Sequence, residues 1–239
     1  QQPSEGWFQI GNPLDGDLAT DKDVTGMMFS MIGPMLVLVF LFSGCMAVAP
    51  ESIAGEKERG TFATMLVTPV KRSHIAIGKI IALSTLSLIS GICSFLGIIL
   101  SLPKLVGGTG NISATVYTAS DYIMLLGIVL SSVLVIVALI SLISAFAKSV
   151  KEATNMIGPL MILVVLLGVS TMFTSGSAGA FFWYLIPLYN SARAMSGIFS
   201  FAASPLNVII TIASNLVVAL LLAFALAKMF DNEKIMFNK

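Results

Sequence analysis

Long stretches without a charged residue constrain this chain more than any other feature. The first covers residues 24–49, and as an α-helix it would extend about 39 Å, against about 30 Å for the hydrocarbon core of a bilayer. In the whole chain 56% of the residues are hydrophobic and 10% are charged, and the mean hydropathy is +0.96. A soluble domain could not cover so much apolar surface with polar groups. The sequence therefore predicts an all-α integral membrane protein.

Five apolar stretches are long enough to cross a bilayer as helices. We predict one transmembrane domain over residues 24–239, with its transmembrane helices at residues 24–49, 80–102, 122–147, 155–174 and 206–227. Residues 1–23 are polar, and five of their six charged residues are acidic; they are predicted to form an extracellular segment. The net charge of +1 argues against nucleic-acid binding, which needs a basic face.

Residues 178–204 are apolar enough to enter the membrane, but Pro187, Asn190 and Arg193 interrupt them. A full span here would place the C-terminal lysines on the opposite side from the central charged stretch, against the positive-inside rule. We therefore predict an outer re-entrant helical hairpin, with the N-terminus of this chain outside and the C-terminus in the cytoplasm. Pro187, Asn190 and Arg193 are the candidates for a gate or outer site, and a side chain that only reaches the headgroups is the alternative for Arg193. Polar residues at membrane depth are interpreted as partners in hydrogen bonds between helices, with substrate contact as the alternative. They are Asn155, Asn190, Asn207 and Asn215.

The charged stretch at residues 51–79 separates the first two predicted spans. It contains five of the thirteen Lys and Arg residues and three of the twelve carboxylates. Within it, apolar residues recur at helical spacing, which predicts a cytoplasmic amphipathic helix that ends near a proline. These are Ile53, Phe62, Met65, Leu66 and Val70, with Pro69 as the terminating residue.

The order of residues in this stretch resembles a family signature. It reads GEKERGT, a hydrophobic patch, TPV, a basic pair and a GK that enters the next span, and it is similar to the signature of ATP-binding-cassette type-2 export permeases, particularly NatB-like sodium exporters. The resemblance implies that the amphipathic helix docks into a separate ATPase subunit. The residues that would couple the two subunits are Glu56, Glu58, Arg59, Gly60, Thr61 and Pro69. An ordinary charged loop that obeys the positive-inside rule is the alternative interpretation.

The resemblance also implies partners and a substrate. The chain would be the permease of an exporter in the plasma membrane, working as a homodimer with two copies of a cytoplasmic ATPase. The chain itself lacks a phosphate-binding loop, because the nearest approach to that motif, Gly55 to Gly60 followed by Thr61, has no lysine to reach the phosphates. We therefore expect no cofactor in this chain. ATP and Mg²⁺ would be bound by the ATPase. Sodium is the substrate that the resemblance suggests, with drugs, peptides or lipids as alternatives. A channel or a structural membrane subunit without an ATPase is the alternative of a different class.

The number of spans differs from what the resemblance implies. Type-2 permeases of this kind typically have six spans with both termini in the cytoplasm, whereas this sequence shows five and begins with polar residues on the predicted outer side. We therefore expect that residues 1–23 are the end of a larger outer domain. The remainder of that domain and an upstream helix would lie outside this sequence.

Overall fold

A computed structural model describes residues 21–61, 72–106, 117–173 and 185–231 of the protein. These residues are almost entirely helical and include no β-strand. The helices are α1 (Asp21–Glu58), α2 (Arg72–Val106), α3 (Ala119–Phe146), α4 (Val150–Ser170, extended by a 3₁₀ turn at Thr171–Phe173), α5 (Tyr189–Phe199) and α6 (Pro205–Asp231). All of them except α5 are long and apolar enough to cross a membrane. The prediction of an all-α integral membrane protein with five such helices is confirmed.

Helix α1 continues well past the first predicted span, which covers residues 24–49. It passes through Pro34 and Pro50 without a break and ends at Glu58. Gly60 terminates it with a φ of 71°, in the left-handed conformation that glycine adopts at low energy after a helix. The first part of the predicted coupling stretch is therefore the end of a membrane helix, and Ile53 is buried there. Residues 62–71, where most of the predicted amphipathic helix falls, lie outside the described residues.

Helix α3 is the central helix of the bundle. Apolar side chains lie on every side of it, as in a helix that has no side facing water. Of the most apolar segment of α3, 56% is buried inside the protein, against 17–39% of the corresponding segments of the other four long helices. Helix α3 packs against α1, α2, α4, α5 and α6.

Helices α1 and α4 approach each other at Gly168. A β-carbon placed on Gly168 would lie 2.9 Å from the Met35 Cα atom, well inside the separation of about 3.5–4.0 Å between carbon atoms in contact. Small residues allow this kind of close approach in lipid, where burial of apolar surface gives little drive for helices to associate.

The five long helices alternate in direction, so the bundle has two distinct ends. The charged end comprises the C-terminus of α1, the N-terminus of α2, the turn at residues 147–149 between α3 and α4, and the C-terminus of α6. The opposite end comprises the starts of α1, α3 and α6, the end of α2 and the short helix α5. Each end carries one group of the residues that the sequence predicts to be functional.

Candidate functional site

Three consecutive residues in the last turn of α1 contact three other elements at the charged end. Glu56 forms an ion pair with Lys79 of α2 at 2.5 Å, and the same ammonium group donates a hydrogen bond to the Ser52 carbonyl oxygen at 2.5 Å. Lys57 donates to the Ala145 carbonyl oxygen near the end of α3. Glu58 accepts a hydrogen bond from the backbone N–H of Val150, the first residue of α4, at 2.9 Å. These contacts join α1 to α2, α3 and α4.

The other side of the same α1 segment is open to solvent. Glu51 and Arg59 form an ion pair there, and their side chains are 52% and 61% exposed. Gly60 and Thr61 are exposed as well, and the Thr61 hydroxyl donates to the Glu56 carbonyl oxygen at 3.2 Å. An exposed ion pair contributes little to stability, so this side is available for another protein without loss of the fold.

The structure therefore divides the predicted coupling residues into two groups. Glu56 and Glu58 bond to other helices, whereas Arg59 and Thr61 bond only within the end of α1 in the contacts described above. Glu58, Arg59, Gly60 and Thr61 are all exposed, and Pro69 lies outside the described residues. Sequence reasoning did not single out Lys57, Lys79 or Val150. The charges of the two lysines are visible in the sequence, but nothing local to Ala145 or Val150 shows that their backbone groups bind α1.

A cluster of buried polar side chains lies at the contact of α3, α5 and α6. Asn190 donates to Asn215 Oδ1 at 3.1 Å, and Asn215 donates to the hydroxyls of Ser131 at 3.2 Å and Ser191 at 2.8 Å. Ser191 in turn donates to Asn190 Oδ1 at 3.1 Å, and Ser132 contacts the Ser191 hydroxyl at 2.8 Å. All five residues are at most 3% exposed. The hydrogen bonds between helices that the sequence suggests for Asn190 and Asn215 are present.

Helix α5 reaches only partway through the bundle. Its eleven residues extend about 16 Å, roughly half of a hydrocarbon core. Its first turn meets the middle of α3 and α6 through the polar cluster, and its last residue, Phe199, accepts a hydrogen bond from the Tyr117 hydroxyl just before α3, at 3.0 Å. Burial, together with Tyr122 and Asp121, raises the pKa of the Tyr117 phenol above its ordinary value, which keeps it a neutral donor. Of the predicted hairpin, residues 185–204 are described.

Arg193 on α5 is enclosed by protein. It is 8% exposed and donates to the Tyr189 hydroxyl at 3.4 Å. With Ser204 and Asn207 at the start of α6 it lines a small cavity of about 20 Å³, room for about one water molecule. Pro187 lies in the turn before α5. The three residues predicted as a gate or outer site are thus near one another in α5 and its preceding turn, but Asn190 belongs to the polar cluster and Arg193 to the cavity.

An apolar groove of about 140 Å³ lies between α2, α3 and α6. Its lining includes Ile80, Leu83, Val137, Leu216 and Leu226, with Ser84 and Ser141 as its hydroxyl groups. The volume is close to that of apolar protein cavities of about 150 Å³ that take up small hydrocarbons. No group of three or more His, Cys, Asp and Glu side chains that could hold a metal ion occurs among the described residues.

Comparison with known proteins gives two matches. A family model described as "ABC-2 family transporter protein" matches residues 8–234 of the chain. The chain is also 34% identical over 178 residues to the "ABC transporter permease protein NatB" of Bacillus subtilis (strain 168), a match that covers 71% of this chain and 44% of that relative. The chain thus spans less than half the length of this curated relative.

Proposed function

The chain belongs to the ABC-2 family of transporter proteins, and we propose that it is the membrane-spanning permease subunit of an ATP-driven exporter. The observation that carries the proposal is the charged end of the bundle. The signature residues at the end of α1 include an exposed set, Arg59, Gly60 and Thr61, on a helix that is itself bonded to α2, α3 and α4. A protein that binds this exposed set would contact an element linked to most of the bundle.

The partner that fits this surface is a cytoplasmic ATPase subunit. ATP and Mg²⁺ would be held by that subunit. We propose two permease copies, as a homodimer, with two ATPase copies, as the family resemblance implies. Each permease copy would then present one charged end to one ATPase.

The charged end is proposed to face the cytoplasm and the opposite end the outside. Basic residues are concentrated on the cytoplasmic side of membrane proteins, and those in the described residues are unevenly divided. Seven belong to the charged end: Lys57, Arg59, Arg72, Lys79, Lys148, Lys151 and Lys228. Three belong to the opposite end: Lys22, Lys104 and Arg193.

We propose sodium as the transported substrate, on the resemblance of the GEKERGT signature to NatB-like exporters. Sodium is a hard cation that takes oxygen ligands, and the apolar part of the spans supplies Ser, Thr, Asn and carbonyl oxygens instead of carboxylates. The groove between α2, α3 and α6 favours a second candidate, the export of an amphipathic organic molecule, because its lining is almost entirely apolar.

Purification and transport assays test these proposals in sequence. The chain, purified in mild detergent from cells that also express the candidate ATPase, is expected to retain that ATPase. The complex in vesicles with ATP is then expected to move radiolabelled sodium, and lipophilic dyes serve as the comparison. A chain that purifies alone would favour a channel or a structural subunit, and transport of dye without sodium would favour the amphipathic substrate.

A further inference from the structure

The bond between Glu58 and Val150 joins α1 to α4 at a point where α4 already has caps of its own. Ser149 accepts from the Glu152 backbone N–H at 3.2 Å, and Glu152 accepts from the Lys148 backbone N–H at 2.7 Å. The first is the usual N-cap bond, and the second differs from a capping box because Glu152 accepts from the residue before the N-cap. Neither bond uses the Val150 N–H, so Glu58 satisfies that group and at the same time links α4 to α1.

A second bond from the neighbouring residue completes the link. Lys57 donates to the carbonyl oxygen of Ala145 at the end of α3, and Glu58 accepts from Val150 at the start of α4. The positive group thus meets the negative end of one helix and the carboxylate meets the positive end of the next, as helix dipoles favour. Only residues 147–149 separate α3 from α4. The last turn of α1 therefore binds both sides of the α3–α4 turn.

We propose that Glu58 is a positioning residue that transmits movement of the α1 end to α4 through its bond to the Val150 N–H. The proposal rests on the proposed function, in which an ATPase displaces the charged end. Glu58, which is itself exposed, would act through its bond within the permease, while Arg59, Gly60 and Thr61 would meet the ATPase. Lys57 and Lys79 would have the same role toward α3 and α2.

Two variants remove the same bond from its two sides. Glu58→Ala removes the acceptor. Val150→Pro removes the donor and keeps the carboxylate, and it suits the site because proline is favoured at the first position of a helix. Ser149, with φ −139° and ψ 162°, already has the extended conformation required before a proline. If both variants act through one bond, the double variant should have the effect of either single variant rather than the sum.

The measurement is hydrogen–deuterium exchange of the permease–ATPase complex in nanodiscs, compared without nucleotide and after ATP hydrolysis with ADP trapped by vanadate. In the unaltered complex, trapping is expected to change exchange both at residues 51–61 and at residues 152–158. In Glu58→Ala and Val150→Pro the change at residues 51–61 should remain and the change at residues 152–158 should be lost. The amount of substrate transported per ATP hydrolysed should fall at least about fivefold, the lower limit of typical coupling between sites. The substrate is radiolabelled sodium or the dye, whichever the unaltered complex moves.

Two controls separate transmission from general destabilisation. Glu58→Gln keeps an acceptor oxygen and should retain part of the exchange response. Asp121→Ala also removes a bond between a carboxylate and a backbone N–H at the start of a helix, but at the opposite end, where the Thr118 N–H donates to the Asp121 carboxylate at 2.9 Å. It should leave the response at residues 152–158 intact.

The outcomes separate the inference from the proposed function. If the unaltered complex transports and both variants keep its response at residues 152–158, the positioning role is wrong while the exporter stands. If the unaltered chain binds no ATPase, the proposed function fails and the inference fails with it.

Discussion

Replacement of Gly168 by Ala tests a close approach between α4 and the backbone of α1. The added β-carbon would lie 2.9 Å from Met35 Cα, 3.0 Å from its Cβ and 3.2 Å from its Cγ. The nearest of these is backbone, which no change of rotamer can move. A contact of about 3.5 Å is needed between carbon atoms, so α1 and α4 must separate by roughly 0.6 Å or distort locally.

The expected magnitude combines two opposing terms. Overpacking in a tight core costs about 1–3 kcal/mol, whereas Ala in place of Gly inside a helix returns up to about 1 kcal/mol. Gly97→Ala in α2 is the matched control, because a β-carbon at Gly97 meets nothing within 4 Å. Gly97→Ala therefore gains the helix stability of Ala without the cost of overpacking. The difference between the two variants should therefore be about 1–3 kcal/mol, with Gly168→Ala the less stable.

The chain contains its own reporter for the assay. Cys45 is buried and Cys93 is exposed, so in a Cys93→Ser background a thiol-reactive fluorophore labels Cys45 as the protein unfolds. On heating in detergent, the apparent melting temperature of Gly168→Ala should lie about 2–12 °C below that of Gly97→Ala, taking about 2–4 °C for each kcal/mol in a chain of this size. Equal melting temperatures would show that α1 and α4 do not pack tightly at Gly168.

Three further outcomes are expected. Asn215→Ala should lower the melting temperature by the equivalent of about 1–2 kcal/mol, because it removes the buried hydrogen bonds that Asn215 makes with Asn190, Ser131 and Ser191; Asn207→Ala, at a half-exposed position, is the control, and an equal loss in both would contradict the role of the cluster. Arg59→Ala should reduce the ATPase retained on purification about fivefold, as for a contact worth about 1 kcal/mol, and undiminished retention would place the contact elsewhere. In a cysteine-free background an impermeant thiol reagent should label a cysteine at Ser200 in intact cells and one at Lys148 only after permeabilisation, and the reverse pattern would invert the proposed orientation.

The sequence by itself determined the class of the protein and the number of long helices. A helix in lipid satisfies its backbone hydrogen bonds within one segment, so the length and apolar character of each stretch are enough to identify it. The end of α1 was also within reach of sequence reasoning, because Gly60 directly follows the charged residues 56–59, and a glycine just after the last helical residue is a common stop signal.

Tertiary structure decided which helix is central and which side chains meet. In a soluble protein the polar side of a helix marks its outer face, but lipid and the protein interior are both apolar, so the pattern of α3 does not show that it is the most enclosed helix. The partner of Glu58 is a backbone N–H 92 residues away along the chain. The donors of Asn215 reach hydroxyls on two other helices. Such pairs depend on the distance and angle between packed helices, which no single stretch of sequence specifies, and for this reason the sequence could not show that Glu58 bonds α1 to α4.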